Sequence, residues 1–241
     1  MLHLGLYWSK ISREYPNYAI QPALAPDVEQ FETSPKSETA IGIRVVPEPD
    51  LRVWYISDSK THLLQVQRDR FILNWRKVVG DEIYPRYDSN RPKFQEEWGK
   101  FCSFITNANL GSINVNQCEV TYVNHIELGK GWKSFGEAHK VFGCLTAPRE
   151  NTILANPEMV RLDTRFLMPG HRGRLYISFE PTLRRKDAKE ALQVTLTARG
   201  KPDSSTTEDI LKWFDLGHEW IVNGFTEFTT QTMHGIWGKR I

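Results

Sequence analysis

The sequence has few of the features that mark membrane, secreted or polybasic proteins. Its three cysteines, Cys102, Cys118 and Cys144, are an odd number at wide spacing, which excludes a disulfide framework and indicates a reducing compartment. No apolar run reaches the roughly 18 residues of a membrane helix, and no signal peptide opens the chain. The net charge of +2 excludes a generally polybasic protein but allows a local basic patch. We therefore predict a cytoplasmic protein that does not enter a membrane.

Complete catalytic, metal-binding and cofactor motifs are also missing from the sequence. There is no CxxC or HExxH pair, and His125-Ile126-Glu127 matches only half of the zinc deaminase signature. The segment from Gly129 to Ser134 departs from a phosphate loop because glycine follows its lysine. We therefore expect no metal and no cofactor, and the lack of a nucleophile pattern favours a protein without catalytic activity.

The residues that are present favour a well-packed globular chain. Apolar residues make up 40% and aromatic residues 12% of the 241 positions, and eight of the aromatic residues are tryptophan. This composition excludes a disordered protein and provides a core for one large domain or two small ones. Helical spacing of Leu4, Trp8, Ile11 and Tyr15 predicts that the chain begins with an amphipathic helix.

The hydrophobic pattern after this helix predicts strands that alternate with helices. A proline-rich stretch, residues 21–49, reads as a long irregular connection. Further helices are predicted to begin at Pro92, near Trp132 and at a capping box that starts with Ser205. The predicted strands span residues 51–57, 61–67, 70–78, 117–126, 159–168, 174–179 and 191–198.

The element order suggests an internal duplication. Each half contains a helix, three strands and a second helix, and the second half has an additional leading strand. Short echoes agree with this order: WYIS at 54–57 resembles LYIS at 175–178, and LQV at 64–66 recurs at 192–194. We therefore predict an α+β fold with two repeats, residues 1–112 and 113–241, each an antiparallel sheet covered by helices on one face.

Two groups of polar residues fall on predicted strands. A strand face this polar is solvated, internally bonded or ligand-binding, since buried polar groups must be paired. One alternative is an internal network in which Arg70 pairs with Glu119. The other is a binding site, whose candidate residues are Gln65, Gln67, Arg70, Asn74, Arg76, Glu119 and His125.

The region from Arg165 to Lys201 is locally basic, with nine Lys or Arg against three Asp or Glu. The candidate phosphate-binding residues are Arg172, Arg174, Arg184, Arg185 and Lys186. Solvated hairpin tips are the alternative interpretation. Tyr176 and Phe179 fall on opposite faces of their strand, so at most one of them is available to stack on a base.

The strings LLQVQRDRFILNWRK (63–77), YPRY (84–87) and QCEVTYVNHI (117–126) resemble an uncharacterised, sporadically distributed bacterial protein family. Its members share QxQxDRFxxNWR and QCEVxYxN strands and have a strand ahead of the first helix. The resemblance covers most of residues 3–128. It implies no activity, and its patchy distribution resembles that of defence or toxin–antitoxin components. Here the leading strand is missing, because the chain begins within the first helix.

These observations lead to two functional hypotheses. The first is a non-catalytic binding module that forms a homodimer or binds a protein partner at the sheet edge that the missing strand leaves unpaired. The second is an enzyme or binder that acts on a nucleotide or nucleic acid. It would use Arg70, Arg76, Glu119 and His125, with arginine holding phosphate and Glu or His handling protons.

Overall fold

The computed structural model describes residues 2–26, 28–31, 51–80, 82–147, 153–154, 156–184 and 188–238. It contains helices and two antiparallel four-stranded sheets, so the predicted α+β class is confirmed. The chain divides into two compact units, residues 1–114 and 115–241, whereas the predicted boundary lies between residues 112 and 113.

The first unit is a four-stranded meander with the sheet order β1-β2-β3-β4. Strand β1 was not predicted, because it is short and ends at a proline. The helix predicted at Pro92 begins six residues earlier, and this proline lies inside it. The elements are α1 (Leu2–Ile11), β1 (Asn17–Pro22), β2 (Leu51–Ile56), β3 (His62–Gln67), β4 (Arg70–Trp75) and α2 (Arg86–Asn107).

Helices α1 and α2 pack on one face of this sheet. Period-2 alternation places Val53, Tyr55, Leu64 and Val66 on that face, where all four are buried. From α1, Tyr7 contacts the ring of Tyr55 edge-on at a centroid distance of 5.7 Å. On β4, the ring of Phe71 lies 5.0 to 6.0 Å from three aromatic rings of α2, those of Phe94, Trp98 and Phe101.

The second unit has the sheet order β5-β8-β7-β6, so its first strand lies beside its last. A 3-10 helix, Phe135–Lys140, occupies the place of the predicted helix at 132–142. The other elements are β5 (Cys118–Glu127), β6 (Leu162–Leu167), β7 (Arg174–Leu183), β8 (Glu190–Gly200), α3 (Thr207–Phe228) and α4 (Gln231–Ile236).

Helix α3 covers one face of the second sheet and lies across β5, β8 and β7. The Thr206 hydroxyl caps its first turn by accepting a hydrogen bond from the Asp209 N–H, one residue beyond the predicted capping box. Under the helix, Ile177, Val194 and Leu196 are buried. The side chains of alternate positions form the opposite face, which is polar.

The predicted duplication stays a prediction. Both units contain a three-stranded meander followed by a 22-residue helix, β2-β3-β4-α2 and β6-β7-β8-α3. The sequence echoes do not mark equivalent positions, however. Tyr55 of WYIS lies in the helix-covered core, whereas Tyr176 of LYIS lies on the polar face.

Gly200 at the end of β8 lies against the backbone of residues 172 and 173. A Cβ at this position would overlap the Arg172 carbonyl oxygen and approach the Gly173 Cα to 2.6 Å. We expect Gly200→Ala to lower the free energy of unfolding by about 1–3 kcal/mol, because backbone overlap forces a local shift. Urea denaturation measures this. The control is Gly143→Ala, whose Cβ meets nothing within 4 Å; an equal loss in both variants would contradict the steric explanation.

Candidate functional site

The second face of the first sheet is polar, and most of its side chains bond to one another. The Arg52 Nη1–H donates to Gln65 Oε1 at 3.0 Å, and the Gln65 Nε2–H donates to Asn74 Oδ1 at 2.5 Å. The guanidinium groups of Arg52 and Arg76 lie 5.5 and 5.9 Å from the centre of the Trp54 ring. Gln65 itself is buried. This part of the candidate site is therefore an internal network built around Trp54.

Gln67 and Arg70 fasten a loop segment to the end of the same sheet. The Gln67 amide exchanges hydrogen bonds of 2.8 and 2.9 Å with the backbone N–H and C=O of Leu24. Arg70 donates to the Ala25 carbonyl at 3.0 Å and forms an ion pair with Asp69 at 3.2 Å. Both residues therefore have local structural partners.

The predicted Arg70–Glu119 pair is wrong. Arg70 begins β4 of the first sheet, whereas Glu119 lies on β5 of the second sheet. The partner of Glu119 is Arg199 on β8, whose Nε–H donates to Glu119 Oε2 at 2.8 Å. The sequence showed one acid and one base on polar strand faces but did not show that the two strands belong to different sheets.

Two buried donors of the first polar face, Arg52 Nε and Trp54 Nε1, have no hydrogen-bond partner among the described residues. Arg52 and Trp54 were not among the predicted site residues. Cross-strand register was the signal that would have found them, because Trp54 lies directly opposite Gln65. With Gln65 and Asn74 already bonded, these two N–H groups are the remaining donor capacity of the Trp54 network.

A second polar cluster lies where α1 meets α2. The carboxylates of Glu14, Glu96 and Glu97 approach within 4.8 Å of one another, and they are the one described group with the ligand types and spacing for a metal. Lys93 and Lys100 already bond to them, at 2.8 Å for Lys93–Glu97 and 2.5 Å for Lys100–Glu14. The donor set therefore fits a closed ion-pair network better than a cation site.

Burial and charge in this cluster shift several pKa values. Burial, assisted by the Glu97 carboxylate, raises the pKa values of Tyr7 and Tyr15 far above the normal phenol range. Hydrogen bonds from Lys100 and Lys93 lower the pKa of Glu14 to about 2. The Glu97 side chain is fully buried, and its Oε2 atom has no hydrogen-bond partner among the described residues.

The polar face of the second sheet holds the other two predicted site residues, Glu119 and His125, and both are exposed. Arg174 begins β7 on this face, directly opposite Arg199. Arg172 precedes the strand and lies 3.7 Å from Asp203, and Arg184 forms an ion pair with Glu127. The remaining two predicted phosphate-binding residues, Arg185 and Lys186, lie outside the described residues.

Arg165 and Tyr176 were not in the predicted site, but cross-strand register brings them together on this face. The guanidinium groups of Arg165 and Arg199 lie 5.4 and 5.5 Å from the centre of the Tyr176 ring. Phe179 is fully buried on the opposite face, so the predicted separation of Tyr176 and Phe179 is confirmed.

No family model, curated protein or solved structure matches this chain. The family resemblance therefore stays a prediction. Among the described helices, none is long and apolar enough to cross a lipid bilayer.

The bonding pattern of the first polar face predicts that Gln65 matters more for stability than Arg70. We expect Gln65→Ala to lower the free energy of unfolding by about 1–3 kcal/mol, since it leaves Arg52 and Asn74 with unmet hydrogen bonds. We expect Arg70→Ala to cost less than about 1 kcal/mol, because its ion pair with Asp69 is largely solvated. Urea denaturation compares the two, and a larger loss in Arg70→Ala would contradict this ranking.

The lowered pKa of Glu14 predicts a loss of stability in acid. A carboxylate whose pKa falls on folding stabilises the protein above its unfolded pKa and loses that effect as the pH drops through the folded value. For Glu14 the window runs from about 4.5 down to about 2. We expect Glu14→Gln to flatten the fall in unfolding free energy across this window. A matched control, Glu208→Gln on the surface of α3, should keep the wild-type slope.

Proposed function

We propose that this chain is a non-catalytic interaction module that binds an extended segment of a partner protein along β4. One comparison within the molecule carries the proposal. Strand β8 leads into α3 and has β5 on its second side, whereas β4 leads into α2 and is an edge strand of its sheet in the described part of the chain. The position that β5 occupies beside β8 has no counterpart strand beside β4.

The backbone of β4 is arranged to accept such a strand. The Arg76 N–H donates to the Thr61 carbonyl at 2.8 Å, so the Arg76 amide points toward β3. Amides alternate in direction along an antiparallel strand. The N–H and C=O groups of Phe71, Leu73 and Trp75 therefore point away from β3, toward the open edge.

The side chains near this edge are apolar. Phe71, Leu73 and Trp75 lie on the face that α2 covers, yet all three are only half-buried. Beyond β4, Val79 is 70% exposed and Ile83 is 90% exposed. Apolar side chains along an unpaired edge favour the addition of another strand, which would bury them.

Charge favours a partner segment over a second copy of this chain. Two β4 strands paired about Leu73 would place Arg70 of one copy opposite Arg76 of the other, which is unfavourable. A segment with acidic residues near both ends would instead complement both arginines. Strand β5 is an internal example of this pattern, because Glu119 and Glu127 near its ends bond to Arg199 and Arg184.

The thiol chemistry supports a non-catalytic protein in the cytoplasm. All three cysteines are free. Burial raises the pKa of Cys118 to about 12, so this thiol stays protonated and is a poor nucleophile. A protein with one exposed thiol, Cys144, and no described disulfide is typical of a reducing compartment.

A labelled peptide with the β5 sequence of residues 119–127, EVTYVNHIE, tests the proposal in a fluorescence anisotropy titration. With its apolar face under α2, the amides of Val120, Tyr122 and Asn124 would point toward β4. We expect N-methylation of these three amides to weaken binding at least tenfold. N-methylation of Thr121, Val123 and His125 should leave binding unchanged, because those amides would point to solvent.

Two protein variants separate β4 from the natural position of β5. We expect Arg76→Glu to weaken peptide binding and Arg184→Glu to leave it unchanged. The opposite result would show that the peptide displaces β5 from the second sheet. Equal effects of the two N-methylated peptides, or a concentration-dependent dimer that excludes the peptide, would contradict the proposal.

A further inference from the structure

We propose that the polar face of the second sheet is a binding site for single-stranded nucleic acid, independent of the β4 edge. The site centres on Arg165, Arg174, Tyr176 and Arg199, which lie on three adjacent strands. Cross-strand register pairs Arg165 with Tyr176 and Arg174 with Arg199. Three guanidinium groups are thereby gathered around one aromatic ring.

The Arg174–Arg199 pair is the first reason to expect an anionic ligand. Like charges directly opposite one another in a sheet repel and lower its stability. Glu119 bonds to Arg199 at 2.8 Å and offsets part of this charge. A phosphate held between the two arginines would remove the repulsion and accept bidentate hydrogen bonds from planar guanidinium groups.

Small hydroxyl side chains cover the sheet next to these arginines. Thr121 and Thr197 lie in the same row as Tyr176, and their hydroxyl oxygens are 3.0 Å apart. Ser178 lies one row further on, beside a cleft of about 340 Å³ that Arg165 and Tyr176 also line. Hydroxyls beside arginines are frequent contacts for the phosphates and sugars of nucleic acids.

The shape of the surface selects the class of ligand. A four-stranded sheet face is broad and open, so it suits an extended polymer better than an enclosed mononucleotide. A sheet does not fit into duplex grooves as a helix does, whereas a single strand lies across it with its bases free to stack. The guanidinium group of Arg165, which is exposed, provides a planar surface for one base.

Binding of labelled 20-nucleotide oligo-U RNA and oligo-dT DNA tests the inference. Three arginine–phosphate contacts predict a log–log salt slope near 2 between about 50 and about 200 mM salt. We expect Arg165→Gln and Arg174→Gln each to lower this slope by about 0.7 and to weaken binding of both oligonucleotides. Inorganic phosphate and ATP as competitors distinguish a polymer site from a site for small phosphates.

Lys212→Gln on the opposite side of the second unit is the matched control. Lys212 is exposed on α3 and removes the same unit of charge when changed. We expect it to leave the affinity within about twofold of wild type. No binding at about 50 mM salt, or equal losses in the control and the arginine variants, would overturn the proposal. Circular dichroism of each variant checks that the sheet remains folded.

Discussion

Each antiparallel strand presents side chains on two faces, and helices cover only one face of each sheet. The covered faces are conventional cores, with Val53, Tyr55 and Leu64 in one unit and Ile177, Val194 and Leu196 in the other. The second faces must satisfy their polar groups in another way. This constraint separates the two units. In the first, Gln65 and its neighbours bond to one another. In the second, arginines and hydroxyl groups are gathered on a surface that is partly open to solvent.

A sheet that is not closed also has edges, and edges make further demands. The N–H and C=O groups along an edge strand need a partner or water. Strand β8 meets this demand with β5, which brings Glu119 to Arg199 and Tyr122 to His218 of α3. Strand β4 has the same position before a long helix and carries half-buried aromatic residues. The apolar surface, the direction of the amides and the basic ends of β4 all support the addition of a strand.

Local patterns in the sequence were sufficient for the fold class and for most elements. Alternation predicted β2, β3, β5, β7 and β8, because one apolar face per strand is a period-2 signal. The same pattern did not show which strands pair. It therefore suggested Arg70–Glu119, although the acid pairs with Arg199, which is eighty residues away in the chain. Tyr176 lies between Arg165 and Arg199 only because of cross-strand register, and register is a long-range property of the folded sheet.

The arginines also show how a structural contact differs from a binding contact. Arg76 lies over Trp54 and donates to the Lys60 carbonyl, so its charge is held by neutral groups that need no ligand. Arg199 is held by Glu119 and by the ring of Tyr176, yet the register places a second arginine directly opposite it. One carboxylate does not neutralise two guanidinium groups. The remaining positive charge lies beside hydroxyl groups on an open surface, and there an anion would gain both ionic and hydrogen-bonding contacts. The polar face of the second sheet therefore has a physical reason to bind phosphate that the Trp54 network lacks.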